Sequence, residues 1–421
     1  MLQYPQVARS TAPLAALWVV VSLRLRLLKQ IIVKVILAPV PMVQHESTQC
    51  KATQCEEHAE TSLLHYNYDL PAELIAQEPL PNRSDARLLV VDRRTQTLQH
   101  RHIRDLPEFL QPQDCLVLND TKVVPARLVG TRTRTGGVWE GLFLQCAAPS
   151  FWQIIGKTRG KIQVGETVQL HSPDGKNNLQ VEFVARNEDN TWLVQPQQMQ
   201  AQQTAAEFAD TPALLSDQLV LLEQIGWTPI PPYIRGGKPL AYDKDRYQTV
   251  YAAHSGSIAA PTAGLHLTPD MLDTIKQQGT AITSVTLHVG MGTFKPITAD
   301  NIDEHHMHSE WCSLSAASAT LLQQCRRNGG RIIAIGTTSV RTLESASDSL
   351  APFEGTTSLF IRPPYHFKNV DALLTNFHFP KSTLLILVRL FGGDSLIQEA
   401  YQEAVREKYR FFSYGDAMLI L

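Results

Sequence analysis

Short apolar runs alternate with amphipathic stretches along most of this chain. The runs 88–92 and 115–119 are apolar and bounded by polar turns, which is typical of buried strands. Thr268-Pro269 combines a cap residue with proline at the first helical position, and Gly279 ends the helix that this pair predicts. A strand over 280–289 follows, and the same strand–turn–helix unit recurs further along the chain. This alternation predicts an α/β sheet.

The pattern changes between Arg127 and Pro196, where short apolar runs follow one another without helices. Gly, Asp and Asn turns separate these runs, which lie at 142–144, 153–155, 167–170, 180–184 and 191–194. Evenly spaced short strands of this kind predict a small β-barrel. The predicted fold is therefore an α/β main domain with an inserted small β-barrel domain. Residues 63–126 and 198–421 form the α/β domain, and residues 127–197 form the barrel.

The first 62 residues form an N-terminal extension of different composition. Residues 14–43 are largely apolar, but they include four basic side chains, each costly in a hydrocarbon core: Arg24, Arg26, Lys29 and Lys34. The uninterrupted apolar run, 14–23, is too short to span a bilayer. Residues 44–62 are polar and linker-like. We predict a surface-lying amphipathic or flexible leader, with no true membrane span.

Composition places limits on partners and compartment. The chain of 421 residues has 38 Lys+Arg against 40 Asp+Glu, so a nucleic acid would have to meet a local basic patch. Residues 122–161 supply one, with seven Lys or Arg against a single acid. The alternative is that these side chains are solvated and protect the edge of a strand from pairing with another chain. The candidate RNA contacts there are Arg132, Arg134, Lys157, Arg159 and Lys161. The six cysteines form no CxxC pair, which favours a reducing, cytoplasmic setting.

Two nucleotide-binding motifs are incomplete in this sequence. Gly156-Lys157-Thr158 ends like a phosphate-binding loop, but Phe151 stands where that loop needs its first glycine. Gly290-Met291-Gly292 follows a predicted strand, but Lys295 stands where a dinucleotide fingerprint needs its third glycine. The sequence therefore supports neither an ATPase nor a nicotinamide enzyme.

The segment 304–310 is dense in potential metal ligands. His305 and His308 are spaced so that one helical face could carry both imidazoles. No second cluster of ligands accompanies them, so we expect polar surface or substrate contact and no metal. A metal hydrolase built on His305, His306 and His308 is the rival interpretation.

The turns that follow predicted strands carry the most informative chemistry. Residues 336–341 come directly after a buried strand and combine hydroxyls, free helix N-terminal amides and Arg341, a set that can hold a carboxylate or phosphate. An ordinary capping turn is the alternative. His266, His288 and His378 each lie beside a strand end or turn. Three histidines in comparable positions predict a shared cleft, although each alone is more typical of a hydrogen-bonded core residue.

Several segments of this sequence resemble the S-adenosylmethionine:tRNA ribosyltransferase-isomerase family of queuosine biosynthesis. The resemblance runs from about residue 66 to residue 421 and rests on long, specific segments: 119–127, 259–266, 285–290, 307–310, 336–341, 375–378 and 407–418. The chain departs from the family pattern at Pro364, at Arg389-Leu390 and at 138–141. These departures bear on local loop shape and substrate fit.

The resemblance implies transfer of the ribosyl carbons of S-adenosylmethionine to 7-aminomethyl-7-deazaguanine in tRNA. The products would be epoxyqueuosine-tRNA, adenine and methionine. The sulfonium acidifies the adjacent ribose carbon, so a base must remove a proton there, and departing adenine needs a proton donor. The attacking tRNA amine must be neutral.

Histidine suits this proton traffic because its unperturbed pKa of about 6.5 lies near the working pH. His266 and His288 are the first acid/base candidates and His378 the third, and Glu310 would hold a ribose hydroxyl or the incoming amine. The substrate-binding candidates are Thr262, Gly264, Thr337, Thr338, Ser339, Arg341 and Asn376.

S-adenosylmethionine is then a co-substrate, and no metal is expected. Precursor tRNA is the partner, and we expect the chain to act as a monomer in the cytoplasm. A non-catalytic RNA-binding protein of the same fold is the alternative from another functional class.

Overall fold

A computed structural model describes residues 61–148, 150–197, 213–290 and 297–421 of this chain. The leader predicted over residues 1–62 lies almost entirely outside these ranges. Within them, no helix is both long enough and apolar enough to cross a membrane.

The regular structure of the described residues comprises seventeen strands, seven α-helices and several short 3-10 helices, among them Thr262–His266. In chain order the strands are β1 (Arg87–Asp92), β2 (Thr97–His102), β3 (Cys115–Asn119), β4 (Thr121–Val123), β5 (Arg127–Arg132), β6 (Val138–Ala148), β7 (Phe151–Thr158), β8 (Thr167–His171), β9 (Asn178–Arg186), β10 (Trp192–Pro196), β11 (His254–Ser257), β12 (Ala281–Leu287), β13 (Glu310–Leu314), β14 (Ile332–Ile335), β15 (Phe353–Thr357), β16 (Ala372–Asn376) and β17 (Ala417–Ile420). The helices are α1 (Ala213–Ile225), α2 (Asp243–Arg246), α3 (Pro269–Gln277), α4 (Ala316–Arg327), α5 (Thr337–Ser345), α6 (Thr383–Gly392) and α7 (Asp394–Arg406).

A nine-stranded mixed sheet forms the main domain, in the order β15-β13-β12-β3-β14-β16-β17-β1-β2. Its centre, β12-β3-β14-β16, is parallel throughout. The carboxyl ends of these four strands therefore lie at one edge of the sheet. On one side β13 and β15 extend the sheet by antiparallel pairs. On the other side β17 pairs antiparallel with β16, β1 pairs parallel with β17, and β2 pairs antiparallel with β1.

Both faces of this sheet are buried, which is why its central strands are continuous apolar runs. Side chains alternate across β3, so that Cys115 and Val117 pack into one core while Leu116 and Leu118 pack into the other. Helix α3, which packs on the sheet, begins as predicted. The Thr268 hydroxyl accepts a hydrogen bond from Met271 N–H, and proline occupies the first turn.

The inserted barrel is confirmed. Strands β5 to β10 close into a barrel in the order β10-β7-β6-β5-β8-β9, with every described pair antiparallel. Trp139, Trp152 and Phe183 fill its interior and are at most 1% exposed. The residues that resemble the end of a phosphate-binding loop, Gly156-Lys157-Thr158, lie inside strand β7. They form ladder pairs with β6 and no loop.

Arg389, one of the departures from the family pattern, is a buried cation that joins separate segments. Its guanidinium pairs with Asp394 at 2.6 Å, at the start of α7, and donates to the His65 carbonyl at 2.6 Å. It also lies over the Tyr66 ring, 5.1 Å from the centroid. The Arg389 side chain thus ties residues 65 and 66 to the helices α6 and α7.

Candidate active site

A cavity of about 410 Å³ lies at the carboxyl edge of the four central strands. Its wall comes from residues 336–338 after β14, residues 375–384 at and beyond the end of β16, and residues 260–263. The remaining lining residues come from other parts of the chain: Pro232, Tyr233, Val289, Phe412 and Ser413. Ligands of open α/β sheets bind at this edge. The cavity is therefore the candidate active site.

Asn119, the last residue of β3, ties neighbouring parts of this edge together. Its amide nitrogen donates to the Leu287 carbonyl at 3.1 Å and to the Thr338 hydroxyl at 3.0 Å. Its amide oxygen accepts from the backbone N–H groups of Leu287 and Thr121, at 3.0 and 3.2 Å. Asn119 is fully buried. Because Thr338 lines the cavity, Asn119 fixes a wall residue from an adjacent strand.

Helix α5 begins at this edge of the sheet, directly after β14. Gly336 has φ +88°, a conformation that favours glycine and lets the chain turn from strand into helix. The first amide groups of a helix have no partner within the helix, and they carry partial positive charge. Thr337 and Thr338 in this first turn line the cavity. A carboxylate or a phosphate fits such a position.

Asn376, at the end of β16, presents an unused acceptor. Its Nδ2 donates to the Phe412 carbonyl at 3.0 Å and lies 3.1 Å from His266 Nε2. These bonds fix the amide orientation, and its buried Oδ1 has no hydrogen-bond partner among the described residues. Burial, aided by the charges of Arg83 and Arg410, lowers the pKa of His266 to about 4. His266 is therefore neutral at pH 7, so its Nε2 can accept a hydrogen bond from Asn376 Nδ2. The Oδ1 atom of Asn376 then remains as the unused acceptor.

His378 lines the cavity and is held from several directions. Its Nε2 lies 2.8 Å from the Thr375 hydroxyl, and its backbone N–H donates to the Tyr401 hydroxyl at 3.0 Å. Tyr68 donates to its carbonyl. Burial lowers the pKa of His378 to about 3, so this ring is neutral at pH 7 as well.

His288 lies next to the cavity wall, just beyond the end of β12. Its Nδ1 is 2.8 Å from the Thr121 hydroxyl, and its ring stacks on Trp311 with centroids 4.9 Å apart. Gly256 is so close that a Cβ there would approach the imidazole to 2.8 Å. Burial is the main cause that lowers the pKa of His288 to about 4. The half-buried ring is thus neutral at pH 7 and closely packed.

Glu310 and Arg341 form a buried ion pair near His288. One carboxylate oxygen accepts from the Gly290 N–H at 2.8 Å, and the other pairs with Arg341 Nη1. Arg341 Nε also donates to the Leu359 carbonyl at 3.2 Å. The two residues are 5% and 3% exposed, and neither belongs to the cavity lining. Arg341 thus pairs with Glu310 outside the cavity lining, while its buried Nη2 has no hydrogen-bond partner among the described residues. Its contact with a substrate anion stays a prediction.

The structure brings some predicted residues into the cavity wall and leaves others outside it. The predicted residues that line the cavity are Thr262, Thr337, Thr338, Asn376 and His378. Gly264 is a packing residue, because a Cβ there would lie 1.9 Å from the Tyr251 hydroxyl. Ser339 Oγ donates to the Ile335 carbonyl at 2.7 Å, a bond that satisfies the hydroxyl at the start of α5.

Sequence reasoning missed four residues that shape the site. Asn119 lies in the family-like segment 119–127, but nothing in that segment indicated that its side chain would reach Thr338, which is 219 positions away. Tyr233, Phe379 and Phe412 form an aromatic side of the cavity. Phe412 lies in the family-like segment 407–418, but nothing in that segment indicated that its ring would reach the cavity. Tyr233 lies in a segment with no distinctive pattern.

The basic stretch on the barrel divides into a buried and an exposed part. Arg132 is 3% exposed, and its Nε and Nη2 donate to Glu166 at 2.6 and 2.9 Å. Its guanidinium also donates to the carbonyls of Arg159 and Lys161. Arg132 therefore organises the β7–β8 loop and is not available to a phosphate. The remaining candidates are exposed: Arg134, Lys157, Arg159 and Lys161.

The histidine-rich segment forms no ligand group in the part of the chain that the structure describes. Within those ranges, no set of three or more His, Cys, Asp or Glu is positioned to hold a metal ion. His305 instead packs edge-on against Phe360, with ring centroids 5.4 Å apart.

Comparison with known proteins gives a consistent result along nearly all of the described chain. The profile of the family described as Queuosine biosynthesis protein matches residues 63–420. Two similar curated proteins bear the name S-adenosylmethionine:tRNA ribosyltransferase-isomerase. The one from Symbiobacterium thermophilum is 46% identical over 359 residues, which are 85% of this chain and 98% of that protein. The one from Caldanaerobacter subterraneus subsp. tengcongensis is 43% identical with the same coverage.

A solved structure is also similar to this chain. It is the crystal structure of S-adenosylmethionine tRNA ribosyltransferase from Thermotoga maritima. It shares 34% sequence identity, covers 85% of this chain and 100% of its own, and superposes with a TM-score of 0.46.

Proposed function

This chain belongs to the queuosine biosynthesis protein family of S-adenosylmethionine:tRNA ribosyltransferase-isomerases, and on that premise we propose how its residues carry the reaction. The enzyme transfers and isomerises the ribosyl moiety of S-adenosylmethionine onto 7-aminomethyl-7-deazaguanine in tRNA. Epoxyqueuosine-tRNA, adenine and methionine are the products.

One observation carries the proposal. The segments 259–266, 336–341 and 375–378, far apart in sequence, contribute residues to a single cavity at the carboxyl edge of a parallel sheet. A volume of about 410 Å³ is in the range of small-molecule sites. The lining combines polar side chains with aromatic rings, which suits a ligand with both ionic and heteroaromatic parts.

The methionine carboxylate of S-adenosylmethionine binds at the first turn of α5. Helix N-terminal amides attract anions, and the hydroxyls of Thr337 and Thr338 line the same position. Asn119 orients Thr338 through its 3.0 Å bond. Asn376 Oδ1, buried and without a partner among the described residues, accepts from a substrate N–H. Leaving such an acceptor unmatched would cost about 1–3 kcal/mol, so the substrate gains from filling it.

His288 is the proton acceptor that we favour among the three histidines. It is neutral at pH 7 and precedes the lining residue Val289, and because Thr121 hydrogen-bonds its Nδ1 we assign the proton-accepting role to Nε2. The Asp120 carboxylate raises the pKa of His288 against the effect of burial, and it would stabilise the imidazolium as that cation forms. His266 and His378 have fixed hydrogen bonds and lowered pKa values, and they act as neutral groups, His378 in the wall and His266 behind it as the partner of Asn376.

The tRNA backbone lies along the exposed basic side chains of the barrel. Arg134, Lys157, Arg159 and Lys161 are exposed, and contacts of this kind position RNA without reading its sequence. We further propose that the enzyme works as a monomer in the cytoplasm. The cysteines Cys115, Cys146, Cys312 and Cys325 are unpaired, as suits a reducing compartment.

Adenine release tests the activity. The full-length protein is incubated with S-adenosylmethionine and tRNA that carries the aminomethyl base, and adenine is measured by chromatography. We expect release that depends on both substrates. RNA binding without adenine release would favour the non-catalytic RNA-binding alternative. Loss of activity on chelation, restored by a metal, would favour a metal-dependent enzyme.

A further inference from the structure

Three aromatic side chains form one side of the cavity, and we call them the aromatic shelf: Tyr233, Phe379 and Phe412. The rings of Phe379 and Phe412 stack with centroids 3.5 Å apart and planes inclined by 23°. Tyr233 packs on both, with centroids 5.1 Å from each. Its hydroxyl lies 2.7 Å from the Ser413 hydroxyl, so the shelf is held at its edge as well as by stacking.

The shelf extends from the buried wall to the open mouth of the cavity. Phe412 is 4% exposed, whereas Phe379 is 38% exposed and still belongs to the lining. Thr337 and Asn376, which also line the cavity, are 6% and 2% exposed. A large apolar ring that is open to solvent at a cavity mouth is a surface on which a flat ligand gains by stacking.

The charge near the shelf points to a nucleotide. Lys381, two residues after Phe379, is the only Lys or Arg among the lining residues. Proteins that bind single-stranded nucleic acid combine cations that meet the backbone with aromatic rings that stack on the bases. Specific RNA recognition also targets bases that are splayed out of the strand.

We propose that the aromatic shelf is the stacking platform for the 7-deazaguanine base of the tRNA. The inference rests on the proposed function, because that function supplies the base. A base that remains attached to its strand must enter through the open mouth, where Phe379 is exposed. S-adenosylmethionine is free and can bind first at the buried end, against α5. The two substrates then meet between the shelf and Asn376.

The substitution Phe379→Leu tests the proposal, because leucine keeps an apolar side chain and removes the stacking face. We expect kcat/KM for tRNA to fall about tenfold, which corresponds to about 1.4 kcal/mol, while the KM for S-adenosylmethionine stays at the wild-type value. Phe379→Trp should restore activity toward tRNA. Tyr242→Leu is the matched control, since Tyr242 is also 38% exposed but does not line the cavity.

Two results would overturn the proposal while the wild-type enzyme releases adenine normally. The first is an unchanged kcat/KM for tRNA in Phe379→Leu. The second is a raised KM for S-adenosylmethionine with tRNA kinetics unchanged, which would assign the shelf to adenine. A wild-type protein that releases no adenine would instead refute the proposed function, so the two failures are distinguishable.

Discussion

At the scale of single residues, Asn119 does the most to define the geometry of the site. Its side chain makes four hydrogen bonds, to Leu287, Thr121 and Thr338. Asn119 does not itself line the cavity, but its partner Thr338 does. Each of these partners belongs to a different element around β3. A buried amide with all its bonds made is a rigid connector, so we regard Asn119 as a positioning residue.

Replacing Asn119 with alanine should damage both stability and catalysis. Buried N–H groups of Leu287 and Thr121 would lose their acceptor, at a cost of about 1–3 kcal/mol in the free energy of unfolding. Displacement of Thr338 should lower kcat/KM for S-adenosylmethionine by about 10- to 100-fold. Urea unfolding and adenine release measure the two effects. Asn82→Ala, at an exposed asparagine, is the control, and equal behaviour of both variants would contradict the assigned role.

The Glu310–Arg341 pair makes a different prediction. Arg341→Ala leaves the Glu310 carboxylate buried without its cation, which typically costs about 3–5 kcal/mol of stability. The double variant Glu310→Gln/Arg341→Met removes both charges and should recover most of that loss. Urea unfolding of the single and double variants measures it. A fully stable Arg341→Ala with weakened substrate binding would return Arg341 to the role of substrate anchor.

At the scale of elements, the barrel should supply much of the tRNA affinity through its exposed cations. Changing Arg134, Lys157, Arg159 and Lys161 together to Gln should weaken tRNA binding and flatten its dependence on salt. Each lost phosphate contact reduces the log–log slope by about 0.7–0.9. Arg132 is left intact because its loss would break the buried pair with Glu166.

The control for the barrel changes four exposed cations outside it to Gln: Arg101, Lys244, Lys276 and Arg327. Filter binding across a series of salt concentrations compares the two quadruple variants. The barrel variant should differ from wild type, and the control should not. Wild-type affinity and slope in the barrel variant would mean that these charges only protect a solvated strand edge.

The elements were largely predictable because their patterns are local. Evenly spaced short apolar runs separated by turns indicated the barrel, a continuous apolar run indicated the buried strand β3, and the Thr268-Pro269 cap marked the start of α3. The arrangement of the site was less predictable, since it depends on contacts between distant segments. His378 was expected in a cleft and lines one. Arg341 was expected there too, but pairs with Glu310, 31 positions away, a partner that no local pattern specifies.

At the scale of the whole molecule, buried neutral histidines should make stability depend on pH. The pKa values of His266 and His378 are lowered to about 4 and about 3, whereas an unfolded histidine titrates near about 6.5. The unfolded chain therefore binds more protons below that pH, and the free energy of unfolding falls as pH drops from about 6.5 toward 4.

Urea unfolding at pH 7, 6 and 5 measures this dependence. We expect a steady decrease in the free energy of unfolding, and a smaller decrease in His378→Gln. His306→Gln, at an exposed histidine, should retain the wild-type slope. If stability stays constant or increases from pH 7 to pH 5, these rings are not neutral buried groups.

The central claim is that the enzyme donates the ribose carbons of S-adenosylmethionine, and isotope tracing tests it most directly. The wild-type protein is given precursor tRNA with S-adenosylmethionine labelled either in the ribose carbons or in the methyl group, and the tRNA nucleosides are analysed by mass spectrometry. The account predicts that ribose label enters the 7-deazaguanine nucleoside while the methyl label remains in methionine. Methyl label in the tRNA, or no transfer of ribose label, would contradict it.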